Sequence, residues 1–211
     1  MARGRLITVE GIDGAGKTTL VGHLAGALAE RGRDVLVLRE PGGVDLSERI
    51  RALVKDPAIA IHPRAEALLY AAARAQLVAE ELEPLLAGGR WVLLDRFVDS
   101  SLAYQGAGRG LGVEAVDQLN RFATGGLTPD RTLLLRIDPA AGRARMAGRP
   151  EDADRLEREE QAFFERVAGA YDALAADDPG RFAVIDAGRS PAAVLADCLA
   201  ALAPMLGAAP P

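Results

Sequence analysis

Residues Gly11-Ile12-Asp13-Gly14-Ala15-Gly16-Lys17-Thr18 fit the pattern G-x-x-x-x-G-K-[ST] without a mismatch. The flanks decide what that string means. An apolar, β-prone run, Leu6-Ile7-Thr8-Val9, precedes it, and a helical pattern through Leu20, Val21, Leu24, Ala27 and Leu28 follows it. Strand, glycine loop and helix in that order form a phosphate cradle. Glycines let backbone N–H groups converge on phosphate oxygens, and the helix points its positive end at them. In such a cradle Lys17 reaches the β- and γ-phosphates, the Thr18 hydroxyl holds Mg2+, and Thr19 follows on the same turn.

Composition sharpens the reading of Lys17. The chain has 25 basic residues, and only Lys17 and Lys55 among them are lysine. A chain that otherwise uses arginine keeps a compact ammonium at the one motif position that wants it, and the two cations are not interchangeable there. The alternative is a glycine-rich turn that merely joins the first strand to the first helix.

At 211 residues the chain reads as one domain, 1–211, with room for a full core. A net charge of −5 argues against a general binder of nucleic-acid polymers, which needs a basic face. Local arginine clusters still suit small phosphates. The single Cys198 excludes an internal disulfide, fits a reducing compartment and sits in an apolar helical pattern as a core thiol. No apolar run approaches the roughly 20 residues of a membrane span. The first strand begins within about five residues of Met1, which leaves no room for a signal peptide. Together these features read as a soluble cytoplasmic protein.

Strand-like runs recur at 5–10, 34–38, 91–95, 131–137 and 182–185. Their cores are mostly unbroken apolar residues, which suits a parallel sheet covered on both faces. Helical patterns separate them at 17–31, 45–54, 63–87, 112–123, 139–147, 157–176 and 191–206. Pro63 and Pro191 stand where first helical turns begin. The alternation predicts an α/β domain of three layers. Ligands of such folds gather at the carboxyl ends of the strands. The tail, 207–211, reads as frayed.

A phosphate cradle leaves a small-molecule kinase, a GTPase switch and an ATP-driven motor open. The guanine-reading N-K-x-D string is absent, since the only asparagine, Asn120, precedes Arg121. The length leaves little room for the extra subdomains of a motor. A second substrate site favours the kinase, and candidates for it exist. Asp95-Arg96-Phe97 closes the third strand, where an Asp can hold Mg2+ and an Arg can clamp a phosphate; a surface ion pair is the alternative. Tyr70 and Arg74 share a helix face within an apolar segment, offering a stacking ring and a donor to a planar base; a core-rim pair is the alternative. Arg39-Glu40-Pro41-Gly42-Gly43 puts a charged pair and a tight turn on the same edge, unless it is a plain turn. Arg143, Arg145, Arg149, Arg155 and Arg158 alternate with acids, as arginine fingers or as a solvated helix surface.

Taken together these segments resemble the thymidylate kinase family, over a span from Leu6 to about Ala187. The resemblance rests on Glu10-Gly11-Ile12-Asp13-Gly14-Ala15-Gly16-Lys17-Thr18-Thr19, Arg39-Glu40-Pro41-Gly42-Gly43, Asp95-Arg96-Phe97 with Ser100-Ser101-Leu102-Ala103-Tyr104-Gln105-Gly106, and Asp154-Arg155-Leu156-Glu157. The D-R-x-x-x-S-x-x-A-Y-Q string is far more specific than the cradle. The resemblance implies a P-loop NTPase fold with a five-stranded parallel sheet, a short lid at about 143–155 and a homodimer. It implies transfer of the ATP γ-phosphoryl group to dTMP with Mg2+, in dTTP biosynthesis. Tyr70 would stack on the base, where Phe is usual, and Arg74 would hydrogen-bond it. Arg96 and Arg39, with Arg51 a weaker candidate, would hold the acceptor phosphate. Asp13 would approach the 3′-hydroxyl or the phosphates, Tyr104 would crowd the 2′ position, and Gln105 would lie beside base or sugar. Pro41 and Ser101 complete the acceptor set, and Thr18 and Asp95 the metal set. The loop carries no Arg and the lid region is Arg-rich, as in the bacterial type, with Arg149 and Arg145 the leading lid candidates. Val44 stands where Thr is usual, and Phe97 replaces the frequent Tyr or His. Another nucleoside monophosphate kinase and a nucleotide-gated switch are the rival readings.

Overall fold

The computed structural model describes residues 3–148 and 154–206. Arg149 and the tail at 207–211 lie outside the described residues. Five parallel strands form one sheet: β1 (Leu6–Glu10), β2 (Val35–Arg39), β3 (Trp91–Asp95), β4 (Arg131–Arg136) and β5 (Phe182–Asp186), in the order β2-β3-β1-β4-β5. Ile7 pairs in register with Leu93 on one side and Arg131 on the other, so β1 is central. All five residues of β1 are buried. The topology changes direction beside β1, and the carboxyl ends of β1 and β3 open a crevice there.

Helices cover both faces. α1 (Lys17–Ala29), α8 (Gln161–Asp177) and α9 (Pro191–Leu206) lie with Ile7, Val9, Leu93 and Leu133 in one apolar layer. On the other face Leu6, Val92 and Leu94 meet Leu77, Val78, Leu82 and Leu86. Strand side chains alternate between faces, so neighbours in one strand serve different layers. β2 and β5 are edges, and Val37 and Val184 stay exposed there, so the double covering expected for every strand holds only at the centre. Cys198 is a buried core thiol, pushed up to about 12 by its burial.

The remaining helices are α2 (Asp45–Lys55), α3 (Pro63–Leu77), α4 (Glu83–Ala87), α5 (Val98–Ser101), α6 (Val113–Thr124) and α7 (Pro139–Ala147). The single helix expected at 63–87 is interrupted by a π-helical turn, Val78–Leu82, just before Pro84. Proline lacks an N–H and its ring crowds the carbonyl four residues back, which favours a widened turn. The helix expected from 157 begins at Gln161. One element had no sequence signal: α5 runs on into a π-helical segment, Leu102–Gly108. Its two glycines and its near-complete burial hide it from any amphipathic period. Tertiary packing explains the composition. A Cβ on Gly108 would lie 2.7 Å from Phe163 Cε2 and 3.0 Å from Val167 Cγ2, both on α8.

Gly108→Ala therefore tests how closely α8 is seated against this segment. Overpacking of this kind costs about 1–3 kcal/mol. A lowered urea midpoint with an unchanged m-value is expected; an unshifted midpoint contradicts the close contact.

Candidate active site

A cleft of about 740 Å³ opens at the carboxyl ends of β1, β2 and β3. Gly11 to Thr19 run from the end of β1 into α1, and Asp13, Gly14, Gly16, Lys17, Thr18 and Thr19 face the cleft. Ile12 and Ala15 face the core instead. The first turn of α1 has no side-chain cap and no acidic residue, so its N–H groups and dipole are available to an anion. Gly14 sits at φ 80, and a Cβ there would lie 2.1 Å from the carbonyl oxygen of Gly142 on α7. The loop is thus pressed between the sheet and α7.

Lys17 Nζ donates to the carbonyls of Gly11 at 3.0 Å and Ile12 at 2.9 Å. Burial and the charge of Arg96 bring its pKa down to about 8, against the pull of Asp13, Asp95 and Glu10. Thr18 Oγ1 donates to Asp95 Oδ2 at 3.2 Å. Asp95 Oδ1 is buried without a hydrogen-bond partner. A hydroxyl beside a carboxylate with a spare oxygen suits a hard divalent ion that keeps waters and phosphate oxygens as its other ligands.

Arg96 crosses the mouth of the cradle. It donates to the Gly11 carbonyl and to Ser100 Oγ, each at 3.1 Å, and pairs with Asp13. Its guanidinium lies 5.0 Å from the centre of the Tyr104 ring, and Tyr104 Oη donates to Asp13 at 2.9 Å. Burial alone would raise the Asp13 pKa, but Arg96, Lys17 and Tyr104 hold it at about 2. Arg96 has a left-handed backbone, φ 72, a conformation that costs about 1–3 kcal/mol in a residue with a side chain. Glu10 holds that turn. Its buried carboxylate accepts from Phe97 N at 2.7 Å, Ser100 Oγ at 2.6 Å and Tyr171 Oη at 2.9 Å. Desolvation, aided by Asp99, pushes Glu10 up to about 7.

The opposite wall carries the acceptor candidates. Arg39 pairs with Glu48 at 2.9 Å, and Arg51 donates to the Pro41 carbonyl at 2.9 Å. Both arginines and Pro41 face the cleft, with Tyr70, Ser101, Tyr104 and Gln105. Tyr70 is half-buried, and burial pushes its phenol pKa up. Arg74 is only 1% exposed and stands behind this wall. It reaches Glu40 through Nε at 2.7 Å, Ser101 through Nη1 at 2.9 Å and the Phe97 carbonyl through Nη2 at 2.9 Å, with Asn120 as a further partner of Nη1. Glu40 Oε1 remains buried and without a partner on the same cleft. Arg145 is exposed in the last turn of α7, away from the cleft wall, and Arg143 lies over the Phe164 ring.

One cleft thus brings together Lys17 and Arg96 at the loop and Arg39 and Arg51 on the other wall. Against known proteins, a thymidylate kinase family model matches residues 9–198. The chain belongs to the thymidylate kinase family. It is 51% identical to the thymidylate kinase of Deinococcus radiodurans over 189 residues, covering 90% of this chain and 91% of that protein. Identity to the enzyme of Halorhodospira halophila is 47% over 206 residues, with 97% and 96% covered. For Cereibacter sphaeroides it is 49% over 214 residues, with 99% of each chain covered. Several residues that support the walls of the cleft of this thymidylate kinase have no sequence signal of their own. Glu66 in the first turn of α3 and Asn120 and Tyr171 in mid-helix are 39 or more positions from Gln105, Arg74 and Glu10, and only the fold joins them.

The low pKa of Lys17 has a sign that kinetics can read. The cradle loses its ammonium as pH rises through about 8, so ATP capture weakens above that pH. Since kcat/KM reports groups of the free enzyme, its value for ATP should fall with unit slope above about pH 8. A profile flat to the ordinary lysine value of about 10.4 contradicts the assignment.

Proposed function

We propose that the chain transfers the ATP γ-phosphoryl group to the 5′-phosphate of dTMP, giving ADP and dTDP for dTTP synthesis. One observation carries this reading: a single cleft holds Lys17 and Thr18 at one end and Arg39, Arg51 and Tyr70 at the other, with Arg96 between them. The acceptor is already an anionic phosphate oxygen, so no strong general base is required. Positioning and charge neutralisation do the catalytic work. Lys17 and the N–H groups of Gly11 to Thr19 hold the donor phosphates. Arg96 lies where donor and acceptor phosphates meet, and Arg39 and Arg51 steady the acceptor. Mg2+ on Thr18 and Asp95 would screen the donor phosphates.

Tyr70 provides the stacking platform. Ser101, held at 2.9 Å by Arg74 behind it, addresses a base carbonyl, so Arg74 acts on the base through that hydroxyl, with Gln105 beside it. Tyr104, tied to Asp13, fills the space of a 2′-hydroxyl, and Asp13 retains lone pairs for the 3′-hydroxyl. We assign the lid to 143–155, with Arg145 or Arg149 closing on the transferring group, within one kinase domain. No helix among the described residues is long and apolar enough to cross a membrane. That fact, the buried thiol of Cys198 and the nucleotide substrates support a cytoplasmic protein.

The direct test is ADP release from Mg2+-ATP with dTMP, dUMP, dCMP, dGMP, AMP and UMP as separate acceptors. A site that holds a methyl group discriminates by about 10–200-fold, so dTMP should exceed dUMP by at least that lower bound. Faster turnover of any other acceptor removes the base assignment. Release that ignores every acceptor removes the kinase reading and favours a nucleotide-gated switch.

A homodimer also fits. α2 packs on α3 and α3 on α6, and these helices leave Leu46, Leu53, Leu68 and Phe122 exposed, Phe122 to 89%. A bare aromatic ring and exposed leucines on helices that pack together suit a protein–protein contact. Sedimentation should give twice the chain mass, and Phe122→Glu should shift the equilibrium toward single chains. A wild-type chain that sediments alone at micromolar concentration rules the dimer out.

A further inference from the structure

Glu66 lies in the first turns of α3 and is completely buried. Its two oxygens serve different elements. Oε1 accepts from Gln105 Nε2 at 2.8 Å, within the π-helical segment. Oε2 pairs with Arg155 Nη1 at 2.6 Å, on the stretch that leads into α8. Arg109 Nε bridges both oxygens at 3.2 and 3.3 Å and pairs onward with Glu159 at 2.5 Å. Two guanidiniums and an amide satisfy the carboxylate, as a buried charge requires.

The Arg155 end is itself anchored. Arg155 Nε donates to the Val54 carbonyl at 2.9 Å and its backbone N–H to the Lys55 carbonyl at 3.3 Å. Lys55 in turn pairs with Asp154 at 3.0 Å. Arg155 therefore turns to Glu66 and Val54, and Asp154, Leu156 and Glu157 face the cleft instead.

A carboxylate only accepts, so Glu66 dictates which way the Gln105 amide is turned. The Nε2 end must face Glu66, and the amide oxygen must face the other way. Gln105 lines the cleft beside Ser101, so an oriented acceptor is offered to the edge of a base. A pyrimidine with a ring N3–H, as in thymine or uracil, satisfies that oxygen. Cytosine presents a lone pair at the same ring position and does not.

We propose that Glu66 is a positioning residue for base selection. It fixes the acceptor sense of Gln105 toward a ring N–H, and Arg155 holds Glu66 in place from the stretch that leads into α8. This rests on the proposed placement of the base beside Gln105.

The experiment compares kcat/KM for dTMP and dCMP in the parent, Gln105→Ala, Arg155→Ala, the double variant and Glu66→Gln. The ratio of the two acceptors is the readout, because loss of folded enzyme lowers both values together and leaves the ratio unchanged. Gln105→Ala should lower the dTMP preference about tenfold, within the range for an unpaired polar contact. Arg155→Ala keeps Arg109 on Glu66, so it should fold, and should lower the preference several-fold. Combined with Gln105→Ala it should add nothing, since its effect passes through that amide. Glu66→Gln should match Gln105→Ala, and should it not fold, the Arg155–Gln105 cycle still decides. An Arg155 effect that multiplies with that of Gln105, or no effect of Arg155→Ala on the ratio, overturns the positioning role. A Gln105→Ala variant with the parent ratio instead removes the base placement, and the inference with it.

Discussion

Glu10 ends β1 with its carboxylate fully buried, and three groups from two separate pieces of chain donate to it. Phe97 N and Ser100 belong to the turn after β3, and Tyr171 belongs to α8. The phosphate loop begins one residue later, at Gly11. One dry carboxylate thus fixes the exit of the central strand, the turn that carries Arg96 and the seat of α8. The left-handed backbone at Arg96 persists because Glu10 over-determines its surroundings. Through that turn Arg96 reaches back over the loop to Gly11 and Asp13, which closes the circuit.

The cleft concentrates positive charge in a chain whose net charge is −5. Lys17, Arg96, Arg39 and Arg51 face one space, and their mutual repulsion is visible where Arg96 depresses Lys17. Asp13, Asp95 and Glu48 offset it from within the protein. Such a set of charges is oriented before substrate arrives, so little reorganisation accompanies the movement of negative charge during transfer. The same economy explains Arg74. Its guanidinium is held by Glu40, Asn120 and Phe97 so that Ser101 stands at a fixed place on the wall.

Much of this was legible in local sequence. The loop at Gly11–Thr18 has a fixed spacing because backbone N–H groups must converge on small anions, and that geometry is local. The five strands were legible because parallel strands buried on both faces read as unbroken apolar runs. Residues 102–108 were not legible, since glycines and all-round burial erase the amphipathic period. The edge strands β2 and β5 read as fully covered, although strand order leaves Val37 and Val184 exposed. In the site, Arg39, Arg51, Tyr70, Ser101, Tyr104 and Gln105 do meet on one cleft, while Arg145 stays on the surface of α7 and Arg155 turns to Glu66.

The sequence by itself determined the phosphate cradle, the alternation of strands and helices, and the types of side chain available at the strand ends. These depend on contacts a few residues apart or on burial that composition reports. Only the tertiary structure decided which charges pair. Glu10 with Tyr171, Arg74 with Glu40 and Asn120, and Glu66 with Gln105 and Arg155 join residues 34 to 161 positions apart. A buried charge must find a partner, but burial is created by packing, and so the choice of partner is made in space.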